Sequence, residues 1–229
     1  MGRAKEIIVK VIPSKIANEF VKKNHYSGKV VYSQIHLGCF LDNQLHGVMS
    51  FGTSLVKKNI IHLVEKTGWN EFIELNRMAF DEYLPKYSES RCLSIAFKLI
   101  KKNAPHIKWI ISFSDGCQSG DGTIYRASGF SLIGIKKNTS NILLPSGEIA
   151  NTISFTDGKS KWCLKIRREG YTSKTKYLNE KQKGWKFLDG FQLRYIYLID
   201  KTCKITVPII PFSRIKEVGA GMYKGIKRE

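Results

Sequence analysis

Apolar residues recur along this chain with two periods. Short β-rich runs at Glu6 to Ile12, Gln34 to Leu41, Leu45 to Phe51, Phe72 to Phe80, Trp109 to Phe113, Phe130 to Ile135 and Ala150 to Phe155 predict strands. Asp42-Asn43-Gln44 between two of them predicts a hairpin turn. Between the runs the apolar spacing changes to three and four. Pro13-Ser14 opens a helix with Ile16, Phe20 and Val21 on one face, bracketed by Asn24 and Gly28. Ser88 to Asn103 predicts a longer helix, capped by Ser88 or Ser90, striped by Leu93, Phe97 and Ile100, and followed by Pro105. Thr123 to Ser128 predicts a short one with Gly129 as its left-handed stop. The order β-α-β-β-β-α-β-α-β-β predicts an α/β fold, a mixed sheet flanked by helices. Phe191 to Ile199 and Ile205 to Ile210 read as further strands.

Charge adds a division. The net charge is +19, and the stretch from Lys159 to Glu229 carries 18 Lys/Arg against 6 Asp/Glu. The turn Thr156-Asp157-Gly158 marks the shift. The expected organisation is a core over 1–157 and a basic, β-rich C-terminal extension over 158–229 packed on it. Such a surface attracts polyanions, above all nucleic acid, through counterion release. Lys165, Arg167, Arg168, Lys174 and Lys176, interleaved with Trp162, Tyr171 and Tyr177, are candidate phosphate contacts, the alternative being a solvated β surface. No apolar run approaches the roughly 20 residues a membrane span needs, and Met1 to Lys10 lacks a signal-peptide pattern. A cytoplasmic protein is expected. Five scattered cysteines without a C-x-x-C pair argue against a disulfide framework and a structural zinc site.

Four segments carry candidate chemistry. Arg91-Cys92-Leu93-Ser94-Ile95-Ala96 opens the long helix, and amides at a helix N-terminus bind phosphate. The spacing R-x-x-S-x-A is close to the pyrophosphate loop of GNAT acetyltransferases, with Ser94 where the first glycine stands; an ordinary capped helix is the alternative. Tyr125-Arg126-Ala127-Ser128-Gly129-Phe130 resembles the Y-x-x-x-G-F segment of the same fold, whose tyrosine protonates a departing thiolate. Asp115 to Gly122, with three glycines and two aspartates, sits at a strand's C-terminal end, where ligands bind in open α/β sheets. Asp115 is there a candidate to orient a base, accept a proton or bind metal, or simply to hold a turn. His25-Tyr26-Ser27-Gly28 offers a titratable imidazole and a phenol.

Together with Phe72-Ile73-Glu74-Leu75-Asn76-Arg77-Met78-Ala79-Phe80, Ser88-Glu89-Ser90-Arg91, Ser112-Phe113-Ser114-Asp115-Gly116 and Gly122 to Phe130, these segments resemble the phage Mom family. So do Leu193 to Tyr197, Val207 to Ser213 and Gly219 to Gly225. The resemblance spans nearly the whole chain. It implies a GNAT-like catalytic core and conversion of adenine in double-stranded phage DNA to a form bearing a carbamoylmethyl (acetamido) group on N6, which blocks host restriction. It puts His25, Tyr26, Ser27, Asp115 and Tyr125 in the catalytic set. Ser90, Arg91, Cys92, Leu93, Ser94 and Ala96 would bind a nucleotide donor, acetyl-CoA or a relative. Lys29 and Arg77 would join the DNA contacts. An iron requirement is also implied, with His25, Tyr26 and Asp115 as ligands of suitable type. Because the N6 amine is buried in the base stack, the base must be flipped out; Tyr26, Tyr32, Trp69 and Tyr87 are aromatic candidates to hold it or fill its gap. Two other functions suit parts of the pattern: a conventional acetyltransferase acting on a protein, RNA or small-molecule amine, and a non-catalytic DNA-binding protein.

Overall fold

The computed structural model describes residues 2–228, so Met1 and Glu229, at the limits of the expected core and extension, lie outside the described residues. The elements run β1 (Ile8–Val11), α1 (Ser14–Asn24), β2 (Ile35–Leu41), β3 (Gln44–Gly52), a one-turn α2 (Lys57–Ile60), β4 (Phe72–Phe80), α3 (Ser88–Asn103), β5 (Trp109–Asp115), α4 (Thr123–Ala127) and β6 (Ser131–Lys137). The β2–β3 hairpin turns on Asp42 and Asn43, at φ 50° and 62°. Asx side chains tolerate that left-handed geometry, which matches the twist of the flanking strands. α3 buries Cys92, Leu93, Ala96, Phe97 and Ile100 against the sheet.

The main sheet has seven strands in the order β1-β2-β3-β4-β5-β10-β6, where β10 is Phe191–Leu198. Its pairs are antiparallel except β4 with β5. Those two are parallel because α3 crosses between them. Their ladder holds for only three rungs, Phe72–Trp109, Ile73–Ile110 and Glu74–Ile111. Beyond it β4 stays paired with β3 as far as Phe80, and β5 with β10 as far as Asp115. The sheet therefore opens between β4 and β5.

β10 also redraws the expected division. The core does not stop at residue 157, since a strand from the basic stretch lies inside the main sheet between β5 and β6. The segment leading to it forms a small lobe: β7 (Asn141–Leu143), β8 (Ile149–Asn151), α5 (Lys161–Arg168), α6 (Lys174–Lys181) and β9 (Lys186–Phe187). The lobe has its own core of Ile142, Leu144, Ala150, Phe155, Trp162, Ile166, Tyr177 and Leu178. Buried Asn138 fastens its two chain crossings: its amide donates to the Asn141 and Leu188 carbonyls at 2.7 Å each, and its carbonyl accepts from the Ser140 and Asn141 amides.

Several elements depart from the sequence expectation. The strand expected from Ala150 to Phe155 ends at Asn151, whose side chain accepts the Ile153 amide at 3.0 Å and starts a 3-10 turn. The basic run expected on a β surface is helical: Trp162, Cys163 and Ile166 share the buried face of α5, and Ser173 caps α6 through the Lys176 amide. Ile205 to Ile210 forms no strand: Ile205 bridges Val64, the Thr206 amide and hydroxyl donate to the Leu63 and His62 carbonyls, and the Ile210 amide donates to the Leu132 carbonyl. Pro208 and Pro211 have no amide to give a ladder. α7 (Ser213–Glu217), β11 (Met222–Tyr223) and β12 (Ile226–Lys227) follow. Among the described residues no helix is long and apolar enough to cross a membrane.

Candidate active site

The opening between β4 and β5 gathers most of the expected catalytic residues. α1 ends at Asn24, and His25 closes it by donating its amide to the Val21 carbonyl. Gly28, at φ 59°, completes the turn with a bond to the His25 carbonyl. On β4 the register shifts by one residue: Ser50 faces Arg77 and Phe51 faces Leu75, so Asn76 is a bulge. In an unbroken strand Glu74 and Arg77 would point to opposite faces. The bulge turns both toward the same centre, and each feels the other's charge. Arg77 then ties the His25 loop down, its Nε donating to the Lys29 carbonyl at 2.8 Å.

Asp115, the last residue of β5, is the hub. Its Oδ1 accepts from the Cys117 amide (3.0 Å) and Gln192 Nε2 (2.9 Å). Its Oδ2 accepts from the Tyr26 hydroxyl (3.2 Å), Gln118 Nε2 (3.0 Å) and Asn141 Nδ2 (3.1 Å). Five donors from four parts of the chain converge on one carboxylate, which offers about four lone-pair sites. This bears on the iron implied by the resemblance. A cation at Asp115 would have to displace these donors. Among the described residues no group of three His, Cys, Asp or Glu is placed to hold a metal. The residues present, as arranged, do not fit the expected His25, Tyr26 and Asp115 ligand set.

The protonation states follow from burial and neighbours. His25 is pushed down to about 4, first by burial, then by the Arg77 charge, with Asp115 opposing. It is a neutral imidazole at neutral pH. The Ser27 amide donates to its Nδ1 (3.2 Å), and the Ser27 hydroxyl lies 2.8 Å from the same atom. An amide cannot accept, so the ring proton sits on Nε2. Burial raises the Tyr26 and Tyr125 phenols, and Asp115 raises Tyr26 further. Burial raises Glu74 as well, against a bond to Ser54 and the charge of Arg77. Tyr125 packs between Phe130 and Tyr195 at ring separations of 5.3 Å, with the buried Ser112 hydroxyl beside its own.

One prediction follows from His25. Its folded value lies below the ordinary 6.5, so between those two values the unfolded chain binds more protons. The stability it contributes is complete above pH 6.5 and is lost as pH falls toward 4. At 1.36 kcal/mol per unit, the loss is about 3 kcal/mol. Urea unfolding across this range should show wild type losing that much more stability than His25→Gln; parallel pH curves would remove the burial argument.

The other expected positions divide. Arg91, Cys92, Leu93 and Ala96 do not form a phosphate cradle: α3 starts three residues earlier, at Ser88, and the Arg91 amide is already bonded to the Tyr87 carbonyl. Arg91 turns its guanidinium to the Lys5 carbonyl, and Cys92, Leu93 and Ala96 are buried. Ser90 bonds the Tyr87 carbonyl and Ser94 faces solvent. Of the expected DNA contacts, Arg77 belongs to the site itself. Lys29, Lys165, Arg167, Arg168 and Lys176 are exposed and Lys174 partly so. Sequence reasoning missed Glu74, Gln118, Asn141 and Gln192. Glu74 had a signal, a carboxylate inside an apolar strand run. Gln192 and Asn141 had none, because only the insertion of β10 and the folding of the lobe bring them to Asp115. A concavity of about 500 Å³ beside α6, lined in part by Lys176, and one of about 420 Å³ beneath Pro208 to Pro211 include no residue of the Asp115 centre.

Fold and site define the class: a mixed α/β protein with a polar centre where two parallel strands part. The chain belongs to the Mom protein family, whose model matches residues 6–214. It is 35% identical over 137 residues to the methylcarbamoylase Mom of Escherichia phage Mu. That match spans 59% of this chain and 57% of the relative's length. Among solved structures it is similar to an N-acetyltransferase from Staphylococcus aureus Mu50 (9% identity, TM-score 0.46, 84% of this chain and 98% of that one). It is also similar to a GNAT family acetyltransferase from Elizabethkingia anophelis with acetyl-CoA bound (11% identity, TM-score 0.41, 84% and 97%).

Proposed function

We propose that this chain is a DNA-modifying transferase that places a carbamoylmethyl group on N6 of adenine in double-stranded phage DNA, shielding it from host restriction. The observation that carries the reading is the join between a proton-handling centre and a basic surface. Asn141, from the lobe, bonds Asp115 directly. Glu148, also in the lobe, feels the charge of Lys29 from the His25 loop and bonds Lys161 and Trp162 of α5. Lys165, Arg167 and Arg168 continue along the exposed side of that helix. A polyanion held there lies against the rim of the centre. The relative's name, methylcarbamoylase, supports the group transferred.

Within the centre, Arg77 and the Nε2–H of His25 face an electron-rich substrate group as donors. Glu74 is a carboxylate of raised basicity, suited to take a proton from an amine that becomes acidic as it is alkylated. Tyr125 is the acid for a leaving group. Forming the N6–methylene bond breaks a bond between that methylene and its leaving group, so the donor must carry the whole carbamoylmethyl group, which the acetyl group of acetyl-CoA does not supply; an extended nucleotide donor of CoA type in the gap between β4 and β5 would set its phosphates at the Glu89 and Ser90 amides rather than at Arg91 to Ala96. Nucleoside mass spectrometry of plasmid DNA from bacteria expressing the chain tests the reading. A deoxyadenosine carrying a carbamoylmethyl group is the expected product. An acetyl adduct would point to conventional acyl transfer, for which a buried phenol at the opening is equally suited, and unmodified DNA from abundant folded protein would overturn the proposal.

A further inference from the structure

Two extended segments run side by side along the rim of this site. The Gln34 amide donates to the Phe51 carbonyl at 2.8 Å, and a Cβ on Gly52 would stand 2.9 Å from the Ser33 Cα and 3.1 Å from the Tyr32 carbonyl oxygen. Both segments are fixed by β4. Asn76 Nδ2 donates to the Tyr32 carbonyl (3.0 Å) and the Ser33 hydroxyl (3.1 Å), Arg77 holds the Lys29 carbonyl, and Gly52 pairs with Glu74 in the β3–β4 ladder. The same short stretch of strand that supplies the centre thus positions the backbone of the rim.

The side chains on that fixed backbone point into water and are apolar. Tyr32 and Val30 on the first segment are exposed, Tyr32 by 80%, and so are Leu55 (81%) and Val56 in the turn that follows the second. Single exposed apolar residues are ordinary. Four in two neighbouring stretches, in a chain of net charge +19, one stretch pinned by side chains of β4 and the other leaving β3, are not a random scatter. The adjoining surface carries Lys29 and, through Glu148, Lys161 and Lys165. An apolar projection bordered by cations is complementary to a stacked, phosphate-edged duplex.

We propose that Tyr32 and Leu55 form a wedge that enters the DNA duplex and fills the space left by the adenine turned into the site. The inference rests on the DNA-modifying reading above and names the element that makes it workable on paired DNA. Turning a base out costs a few kcal/mol of stacking and pairing. Proteins that distort a duplex offset that cost by inserting apolar side chains between base steps. Trp69 and Tyr87 are not part of the wedge: Trp69 lies over the Lys57 ammonium at 4.7 Å, and Tyr87 sits at the start of α3 in a left-handed conformation.

The test is modification of plasmid DNA and of the same DNA heat-denatured, by the full chain in a bacterial extract that supplies the donor, read by nucleoside mass spectrometry. Tyr32→Ala/Leu55→Ala should lose at least about tenfold on duplex and match wild type on separated strands, where no stack must be opened. Tyr32→Phe/Leu55→Met, which keeps apolar bulk, should keep duplex activity. Full duplex activity of the alanine variant would overturn the wedge, as would an equal loss on both DNA forms. Wild-type chain that modifies neither form would instead overturn the DNA-modifying reading beneath it.

Discussion

Asp115→Asn should fold and be almost inactive. The substitution keeps the shape of the side chain and replaces one oxygen with an amide nitrogen, a donor. Both carboxylate oxygens currently receive donors only, two on Oδ1 and three on Oδ2. Whichever way the new amide turns, its nitrogen faces at least two donors that it cannot accept. Tyr26 can reverse its hydroxyl; the Cys117 amide and the Gln118, Asn141 and Gln192 side-chain amides cannot, short of flipping. Bonds to a charged acceptor contribute about 1.5–3 kcal/mol each, and several weaken at once, so a stability loss of about 2–4 kcal/mol is expected. The activity loss should be larger, ~10²-fold or more, since the hub aligns the Tyr26 phenol with the lobe that carries α5. Thermal unfolding and DNA modification measured on the same preparation separate the two effects. Activity within a few-fold of wild type would show that the convergence on Asp115 is architecture alone.

This hub also marks where sequence reading reaches its limit. The bounds of β4 and α3 are those expected, because local sequence marks both, a short β-rich apolar run from Phe72 to Phe80 and an apolar spacing of three to four from Ser88 to Asn103. His25, Tyr26, Asp115 and Tyr125 were legible as chemistry, and the fold brings them together. What was not legible depends on contacts distant in sequence. Gln192 meets Asp115 because β10 enters the sheet in a register that pairs those two residues, 77 apart. The run from Arg91 to Ala96 shows the opposite failure: its spacing matched a phosphate loop, but the apolar stripe of α3 had already claimed Cys92, Leu93 and Ala96 for the core. α5 and α6 were hidden by their charge. Lys and Arg favour helices as well as they suit a solvated surface, and the Trp162, Cys163 and Ile166 stripe that decides between these readings is short.

Tyr125→Phe isolates a single atom. The ring is held by Phe130 and Tyr195 and makes no side-chain hydrogen bond of well-formed geometry among the described residues, so phenylalanine should pack in its place with little change in stability. Burial raises the phenol above its ordinary value, which keeps it protonated at neutral pH and gives it no role as a phenolate base. Its available chemistry is donation. Removing a positioned proton donor costs roughly 10²–10⁴-fold in rate, and because the donor acts on charge that develops in the transition state, DNA affinity should stay at the wild-type level. The pH profile carries the sharper discrimination. If Tyr125 delivers the proton, wild-type activity should show no alkaline fall between pH 7 and 9, where the phenol remains intact, and the variant should be slow across that whole range. Equal rates for variant and wild type would remove Tyr125 from the reaction and leave the Nε2–H of His25, or the Tyr26 phenol, as the donor at the centre.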